Sequence, residues 1–205
     1  MSDPTPEREA VRIVSADASH APALAALIAA SFDELEVARW QIRDSVERQI
    51  GFTALFHDYV CHTLAAGGTV EMMSDISAVA LWAPLSGKPT EPPKQLEGPL
   101  AAALGPQAVD RIYAFDIALH AAEPTEACWK LAILAVRPDR QRQGLGSALL
   151  RHRLAVLDSL RMPAYLEASD DDSRRLYERH GFMMLREINF DGPPMTAMWR
   201  TPQPI

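Results

Sequence analysis

The chain has 205 residues, of which 48% are hydrophobic, and a formal net charge of -7. This composition allows a folded core and argues against disorder. An acidic chain with a pI near 5.3 lacks the basic surface of a nucleic-acid-binding protein and would attract cationic molecules. Two isolated cysteines, Cys61 and Cys128, exclude a disulfide framework or a zinc site. Without an N-terminal apolar signal core or a membrane-length apolar run, we expect a cytoplasmic protein with no membrane partner.

The first half of the chain is predicted to be mainly helical. Residues 1–7 are expected to form a flexible tail, and residues 8–205 a single domain. Strands are predicted at 11–14, 69–73 and 76–82, helices at 22–32, 44–66 and 106–121, an acidic turn at 33–36 and a Pro-rich loop at 84–99. In the helix at 44–66, we expect Val46, Ile50, Phe56, Val60 and Leu64 to point inward.

The second half alternates strands and helices. An apolar run at 131–136 is typical of a buried strand, and residues 137–139 break it. The helix that follows has Leu145, Leu149, His152, Val156 and Leu160 near one face. A strand at 164–168, a capped helix at 173–180 and an antiparallel pair at 182–190 and 195–199 complete the chain. This order predicts an α/β fold in which helices cover both faces of a mixed sheet.

The turn between the strand at 131–136 and its helix is suited to an anion. The first backbone N–H groups of a helix have no partner within the helix, and the helix dipole favours negative charge there. Arg137, Arg140 and Arg142 nevertheless lie at this end, where cations are unfavourable unless an anionic ligand offsets them. Gly144 and Gly146 permit close approach of the backbone to a phosphate.

Two motifs indicate which phosphate ligand binds. The P-loop pattern is absent, and the dinucleotide pattern G-x-G-x-x-G fails at Leu149. The sequence Gln141-x-x-Gly144-x-Gly146, directly after a Val-x-Pro strand end, resembles the coenzyme A loop of the GCN5-related N-acetyltransferases (GNAT). A second family motif, L-Y-E-x-x-G-F, stands at 176–182 after a strand ending L-E-A-S. The resemblance implies a GNAT-like mixed, mostly antiparallel sheet, with splayed central parallel strands and helices on both faces.

Within this family, several segments look similar to the puromycin N-acetyltransferase group and its actinobacterial relatives. They are residues 11–13, 29–32, 78–82, 143–148, 177–182 and 192–193. This similarity implies a primary amine of a small molecule as the acetyl acceptor, such as an antibiotic-like amine. It does not identify the acceptor, because acceptor pockets vary within one fold.

The resemblance implies acetyl-CoA as co-substrate and assigns residues to it. The strand end would pair with the pantetheine arm, the turn would bind the diphosphate, and the facing strand would flank the arm. These residues are Leu134, Ala135, Val136, Arg142, Gln143, Gly144, Leu145, Gly146, Ser147, Ala168, Ser169 and Ser173. Ser173 stands where many relatives have Asn. We expect no metal site.

Two roles in the transfer reaction need candidate side chains, a general acid and a general base. Tyr177 is the candidate general acid, because a phenol can protonate a leaving thiolate whose pKa is only slightly lower. Some family members use an acid on the central strand as general base, but residues 131–136 contain none. The resemblance implies Glu34 or Glu36 instead, because the turn after the first helix lines the acceptor pocket in relatives. Glu167 is the next candidate, although alternation along its strand points it away from the site. Trp40, Trp82 and Trp129 would line an aromatic acceptor or, as we expect, pack in the core.

Three functions remain open at this point. The first is a small-molecule amine N-acetyltransferase acting as a monomer or homodimer. The second is acetylation of a protein or peptide amine. The third is a non-catalytic acetyl-CoA sensor, which Tyr177 disfavours because a sensor needs no acid.

Overall fold

A computed structural model describes residues 11–88 and 91–204, so the predicted tail at 1–7 lies outside the described residues. Its strands form one sheet in the order β1-β2-β3-β4-β5-β7-β6. The strands are β1 (Ile13–Ser15), β2 (Thr69–Met73), β3 (Ala78–Leu85), β4 (Cys128–Val136), β5 (Ala164–Ala168), β6 (Met183–Ile188) and β7 (Met195–Arg200). The helices are α1 (Ala21–Phe32), α2 (Glu36–Gln41), α3 (Ser45–Ala65), α4 (Gly98–Leu104), α5 (Pro106–Ala122), α6 (Leu145–Ser159) and α7 (Asp171–Glu178).

The central strands β4 and β5 run parallel and then part. They pair only where Trp129, Lys130 and Leu131 face residues 164–166. Beyond that point β4 continues to Val136, still paired with β3, while β5 pairs on its other side with β7. All the other strand pairs in the described sheet are antiparallel. The predicted mostly antiparallel sheet with splayed central strands is confirmed.

A β-bulge in β4 stands beside this opening. Leu81 of β3 pairs with Ile133 and Trp82 pairs with Leu131, so Ala132 is the extra residue. Such a bulge shifts the alternation of side chains by one position. Leu131 and Leu134 therefore pack on the same side of the sheet, while Ile133 packs on the opposite side.

Helices cover both faces of the sheet, as predicted. On one face, α6 and α7 pack over the core that contains Leu149, Leu150 and Tyr177. The other face carries α1 and α3 over β2 and β3, and α5 over β5, β6 and β7 through side chains such as Phe115. Helices α2 and α4 were not predicted. Helix α2 begins at the last residue of the predicted acidic turn, and α4 begins within the last two residues of the predicted Pro-rich loop.

The predicted inward face of α3 is wrong over its first half. Val46 and Ile50 are 65% and 64% exposed, whereas Arg48 is buried. The Arg48 guanidinium donates to the Ile42 carbonyl at 2.8 Å and pairs with Asp33 at 2.8 Å. Arg48 points inward because its guanidinium satisfies backbone carbonyl groups at the end of α2. Val46 and Ile50, which the apolar pattern predicted to point inward, therefore lie at the surface.

The predicted inward stripe of α6 is also rotated. His152, Val156 and Leu160 are exposed, and the buried face instead contains Leu149, Leu150, Leu154 and Leu157. Arg153 lies on this inward face, with its guanidinium 4.4 Å from the centroid of the Trp129 ring and 3.4 Å from a Glu71 carboxylate oxygen. A buried ion pair and a cation–π contact allow a charged residue to occupy a core position.

Candidate active site

A cavity of about 1280 Å³ begins at the α6 turn, passes the opening between β4 and β5, and continues between α3 and α5. Its first part is lined by the end of β4, residues 141–147 and the start of α7. Its second part is lined by α2, α3 and α5 and by side chains from β4 and β5. The cavity is large enough for two ligands placed end to end, since single drug-sized ligands occupy roughly 300–1,000 Å³.

The α6 turn presents unpaired backbone amides to the first part of the cavity. Gly144 precedes the helix with φ 82°, and Arg142 also has a positive φ of 60°. The first intrahelical hydrogen bond is donated by the Ala148 amide to the Gly144 carbonyl at 2.9 Å. The amides of Leu145, Gly146 and Ser147 thus precede that bond and are available to an anion.

Most of the residues predicted to bind the cofactor line this part of the cavity. They are Leu134, Ala135, Val136, Arg142, Gly144, Leu145, Gly146, Ser147, Ser169 and Ser173. Gln143 is exposed beside the turn, where its amide oxygen accepts from Arg140 at 3.0 Å. Ala168 is buried in the same core cluster as Tyr177 and is not among the residues that line the cavity.

Ser173 is already engaged in the local structure of α7. Its amide donates to Asp170 Oδ1 at 2.7 Å, and its hydroxyl accepts from the Asp170 amide at 3.2 Å. This reciprocal capping box stabilises the start of α7. A cofactor contact by the Ser173 hydroxyl would have to compete with the cap.

Two arginines add positive charge at the α6 end of the cavity. Arg142 and Arg179 both line it, and neither forms an ion pair with any described residue. Each therefore keeps its full charge available for a phosphate group. Arg179 was not singled out from the sequence, although it lies within the L-Y-E-x-x-G-F motif and could have been found there.

Tyr177 lines the cavity from the α7 side and is 8% exposed. Burial raises the pKa of the phenol above its ordinary value, and the nearby charges of Asp170 and Glu167 raise it further. Tyr177 is therefore protonated at neutral pH. Tyr177 and Glu167 both line the cavity.

The two glutamates predicted as general base do not come together in the cavity. Glu34 lies at the cavity rim, where its side chain is 80% exposed and pairs with Arg39. Glu36 is exposed at the start of α2 and is not among the cavity-lining residues. Neither carboxylate has the buried environment that would tune it as a base.

Glu167 occupies a different position from the one we expected. Its side chain is only 4% exposed and lines the cavity, on the same side of β5 as Tyr165. Lys130 of β4 lies 2.9 Å from Glu167 Oε1 and 3.1 Å from Glu123 Oε1. Burial raises the pKa of Glu167, although the Lys130 charge acts in the opposite direction.

Two further groups complete a cluster of ionisable side chains around Lys130. Asp116 of α5 and Tyr59 of α3 both line the cavity. Burial raises the pKa of Asp116 to about 6, opposed only by the charge of Lys130. Tyr59 is 41% exposed and presents its ring at the cavity wall. Sequence analysis missed these residues because each comes from a different element and none lies in a motif.

The three tryptophans considered for an aromatic acceptor pocket do not line this cavity. Trp82 is fully buried in the core, Trp129 packs against Arg153, and the Trp40 ring lies 5.3 Å from the Phe190 ring. The expected role in packing agrees with these positions. The aromatic walls of the cavity come instead from Phe32, Phe52, Phe56, Tyr59 and Phe115.

Residues 11–88 and 91–204 contain neither a membrane-spanning helix nor a cluster of metal ligands. No helix there is both long enough and apolar enough to cross a membrane. No group of three or more His, Cys, Asp or Glu side chains in these ranges is arranged to hold a metal ion.

The fold and cavity define an α/β protein with a ligand channel between splayed parallel strands. Residues 108–184 match the model of the acetyltransferase (GNAT) domain. A mycothiol acetyltransferase of Acidimicrobium ferrooxidans is 31% identical over 87 residues, which cover 41% of this chain and 26% of that protein. The chain therefore spans about a quarter of the length of this curated relative.

Solved structures share the fold over nearly the whole chain. A Corynebacterium glutamicum protein described as histone acetyltransferase HPA2 and related acetyltransferase is 25% identical, with a TM-score of 0.69 over 94% of this chain and 97% of that one. Arylalkylamine N-acetyltransferase 2 from Aedes aegypti is 13% identical, with a TM-score of 0.67 over 95% of this chain and 100% of that one. This likeness shows a GNAT-like fold over nearly the whole chain, within which residues 108–184 match the acetyltransferase (GNAT) domain model.

Proposed function

We propose that this protein transfers an acetyl group from acetyl-CoA directly to a primary amine of a small molecule. The observation that carries the proposal is a single continuous cavity. It joins the free amides at the α6 turn to the carboxylates of Glu167 on β5 and Asp116 on α5, and it passes Tyr177 on the way. A channel of this kind allows two substrates to meet at the opening between β4 and β5.

The α6 end has the chemistry required to bind coenzyme A. The diphosphate would accept hydrogen bonds from the amides of 145–147, with Arg142 and Arg179 adding charge. The pantetheine arm, which carries amide groups, would pair with the edge of β4 beyond Leu131, where β5 no longer provides a partner. Backbone groups held by a sheet lose little entropy on binding, which favours precise placement of the thioester.

Tyr177 is the proposed general acid. After the amine attacks the thioester carbonyl, the carbon–sulfur bond breaks, and the departing thiolate takes the phenolic proton. Burial keeps this proton on Tyr177 at neutral pH. The thiolate would form in the same enclosed site, where burial raises its own pKa and so assists the transfer.

Glu167 replaces Glu34 and Glu36 as the proposed general base. The acceptor arrives as an ammonium and must lose a proton before its nitrogen can attack. Glu167 stands where the strands part, opposite Tyr177, and burial raises its pKa toward the working range of a base. In this arrangement the proton leaves on the acceptor side, and a second proton is delivered to sulfur on the cofactor side.

The small-molecule assignment rests on the acceptor part of the cavity. Its ionisable groups, Lys130, Glu167, Glu123 and Asp116, lie between helices and strands rather than on an exposed surface, where a peptide would bind. The resemblance of several sequence segments to the puromycin N-acetyltransferase group, which is itself only a prediction from the sequence, implies the same acceptor class. A monomer or homodimer in the cytoplasm, where acetyl-CoA is available, completes the proposal.

Release of free thiol from acetyl-CoA tests this function. The protein is incubated with acetyl-CoA and a panel of small primary amines, a lysine-containing peptide and a peptide with a free N-terminus. We expect amine-dependent thiol release with at least one small amine and an N-acetylated product by mass spectrometry. Release with peptides alone would favour a protein acetyltransferase. Tight binding of acetyl-CoA without release for any amine would favour a sensor.

A further inference from the structure

The acceptor part of the cavity contains more negative than positive charge. Three carboxylates, Asp116, Glu123 and Glu167, line it together with one ammonium, Lys130. Lys130 is within 3.1 Å of both Glu123 and Glu167, and one cation neutralises only one carboxylate. The cluster therefore has an excess of carboxylates over ammonium groups, and the His120 imidazole lies 3.6 Å from Glu123.

This excess is not satisfied by the protein itself. Asp116 forms no ion pair or hydrogen bond with any described residue. Glu167 is 4% exposed, and its cationic neighbour among the described residues is Lys130, which it shares with Glu123. Buried carboxylates of this kind are normally paired, so the cavity favours a ligand that brings positive charge.

Glu167 and Asp116 lie on different elements of the cavity wall. Glu167 is on β5, one residue beyond the last pair between β4 and β5, and therefore lies at the opening between these strands. Asp116 is on α5 and lines the part of the cavity between α3 and α5.

Aromatic rings line the part of the cavity that contains Asp116. Tyr59 and Phe56 of α3 and Phe115 of α5 line the same part of the cavity. Ring faces attract cations, and the attraction is stronger where water is excluded. A carboxylate enclosed by aromatic side chains suits an ammonium or a guanidinium.

We propose that the acceptor is a dication: its primary amine is acetylated beside Glu167, and a second cationic group is held by Asp116 and Glu123. This inference rests on the proposed function, because it names the acceptor class of the same site. An acceptor with two positive charges neutralises the cluster, whereas a monoamine leaves one carboxylate buried and unpaired.

Cadaverine and n-pentylamine test this proposal, because they have the same chain length and differ by one terminal ammonium. Binding is measured by calorimetry with coenzyme A present, and kcat/KM is measured by thiol release. We expect cadaverine to be favoured at least tenfold in both measurements, which corresponds to about 1.4 kcal/mol. Asp116→Asn should reduce this preference to less than threefold.

Asp110→Asn is the matched control, since it makes the same change on the exposed face of α5 outside the cavity. Its cadaverine preference should equal that of the wild type, and melting temperatures verify that both variants fold. Equal affinities for the two amines, or a preference that survives Asp116→Asn, would overturn the inference.

The two proposals fail in different ways. Acetylation of both amines at equal kcat/KM would refute the dication and leave the acetyltransferase intact. Asp116-dependent binding of cadaverine without thiol release for either amine would refute the acetyltransferase and leave the cation site intact.

Discussion

Replacing Glu167 with glutamine is the sharpest test of the proposed chemistry, because it removes a base while preserving the shape of the side chain. General-base catalysis contributes about 10²–10⁴-fold to the rate, so kcat should fall by that factor. This loss corresponds to roughly 3–5 kcal/mol of transition-state stabilisation. Affinity for acetyl-CoA should change little, because the diphosphate would bind at the α6 turn.

The structure indicates that this variant will fold. Lys130 keeps Glu123 at 3.1 Å, so the ammonium is not left without a partner. Burial raises the pKa of Glu167 in the folded protein. At a pH above this raised pKa, the ionised carboxylate therefore destabilises the folded state. Removing this charge should not lower the melting temperature at neutral pH.

The assay is a pH–rate profile with saturating acetyl-CoA. Wild-type activity should fall on acidification as Glu167 is protonated, at a pH above the ordinary glutamate value of about 4.3, and Glu167→Gln should lack this acid limb. Glu187→Gln, the same change at an exposed position on β6, is the control and should behave as wild type. Activity of Glu167→Gln within threefold of wild type, with the limb lost instead in Glu34→Gln or Glu36→Gln, would refute the assignment.

Three further predictions address the acid, the turn and the core. Tyr177→Phe should lower turnover at least tenfold in the thiol-release assay while calorimetry finds acetyl-CoA affinity nearly unchanged; unaltered turnover would remove the proposed role. Gly144 has φ 82° and open space around it, so Gly144→Ala should weaken coenzyme A binding through backbone strain of about 1–2 kcal/mol. Gly144→Asn should weaken it less, and equal affinities of these two variants would contradict the explanation. Asp158 accepts two hydrogen bonds from the Arg200 guanidinium at 2.7 Å, and these bonds lower the pKa of Asp158 in the folded protein. The ion pair therefore stabilises the fold at any pH above the pKa of Asp158 in the unfolded chain. This stabilisation is lost as the pH falls through the lower pKa of the folded protein. Asp158→Asn should therefore lower the free energy of unfolding at pH 7 by about 3–5 kcal/mol, and urea unfolding curves should converge with wild type in acid; a constant difference at all pH values would exclude this ion pair as the cause.

Sequence patterns predicted the central part of the fold well, because its signals are local. The strand predicted at 164–168 has the same bounds as β5. Asp170 caps α7, and Gly181 ends the segment with a positive φ of 86°. Backbone preferences of these residues do not depend on distant contacts, so spacing alone was sufficient.

Helix faces were predicted less well, because burial of a charged residue is decided by partners elsewhere in the chain. Arg48 and Arg153 are charged residues, which usually lie at the surface. Both point inward, because Asp33 and Glu71 provide partners that no local pattern reveals. Each inward arginine displaced the predicted apolar stripe of its helix toward solvent.

The acceptor end of the site could not be predicted for a similar reason. Asp116, Lys130 and Glu167 are far apart in sequence and meet only when β4, β5 and α5 pack together. The motifs predicted a ligand site at the α6 turn, and the turn residues Gly144 and Gly146 do line the cavity. Motifs describe the ligand that a family shares, whereas the acceptor is recognised by residues that differ from one member to another.

The central claim is that acetyl-CoA binds in the channel between β4 and β5, with its diphosphate at the α6 turn. A crystal structure of the protein with coenzyme A tests it most directly. We predict that the diphosphate oxygens accept hydrogen bonds from the amides of Leu145, Gly146 and Ser147, and that the sulfur lies within hydrogen-bonding distance of Tyr177 Oη. A diphosphate bound elsewhere, or a sulfur separated from Tyr177 by other side chains, would contradict the account.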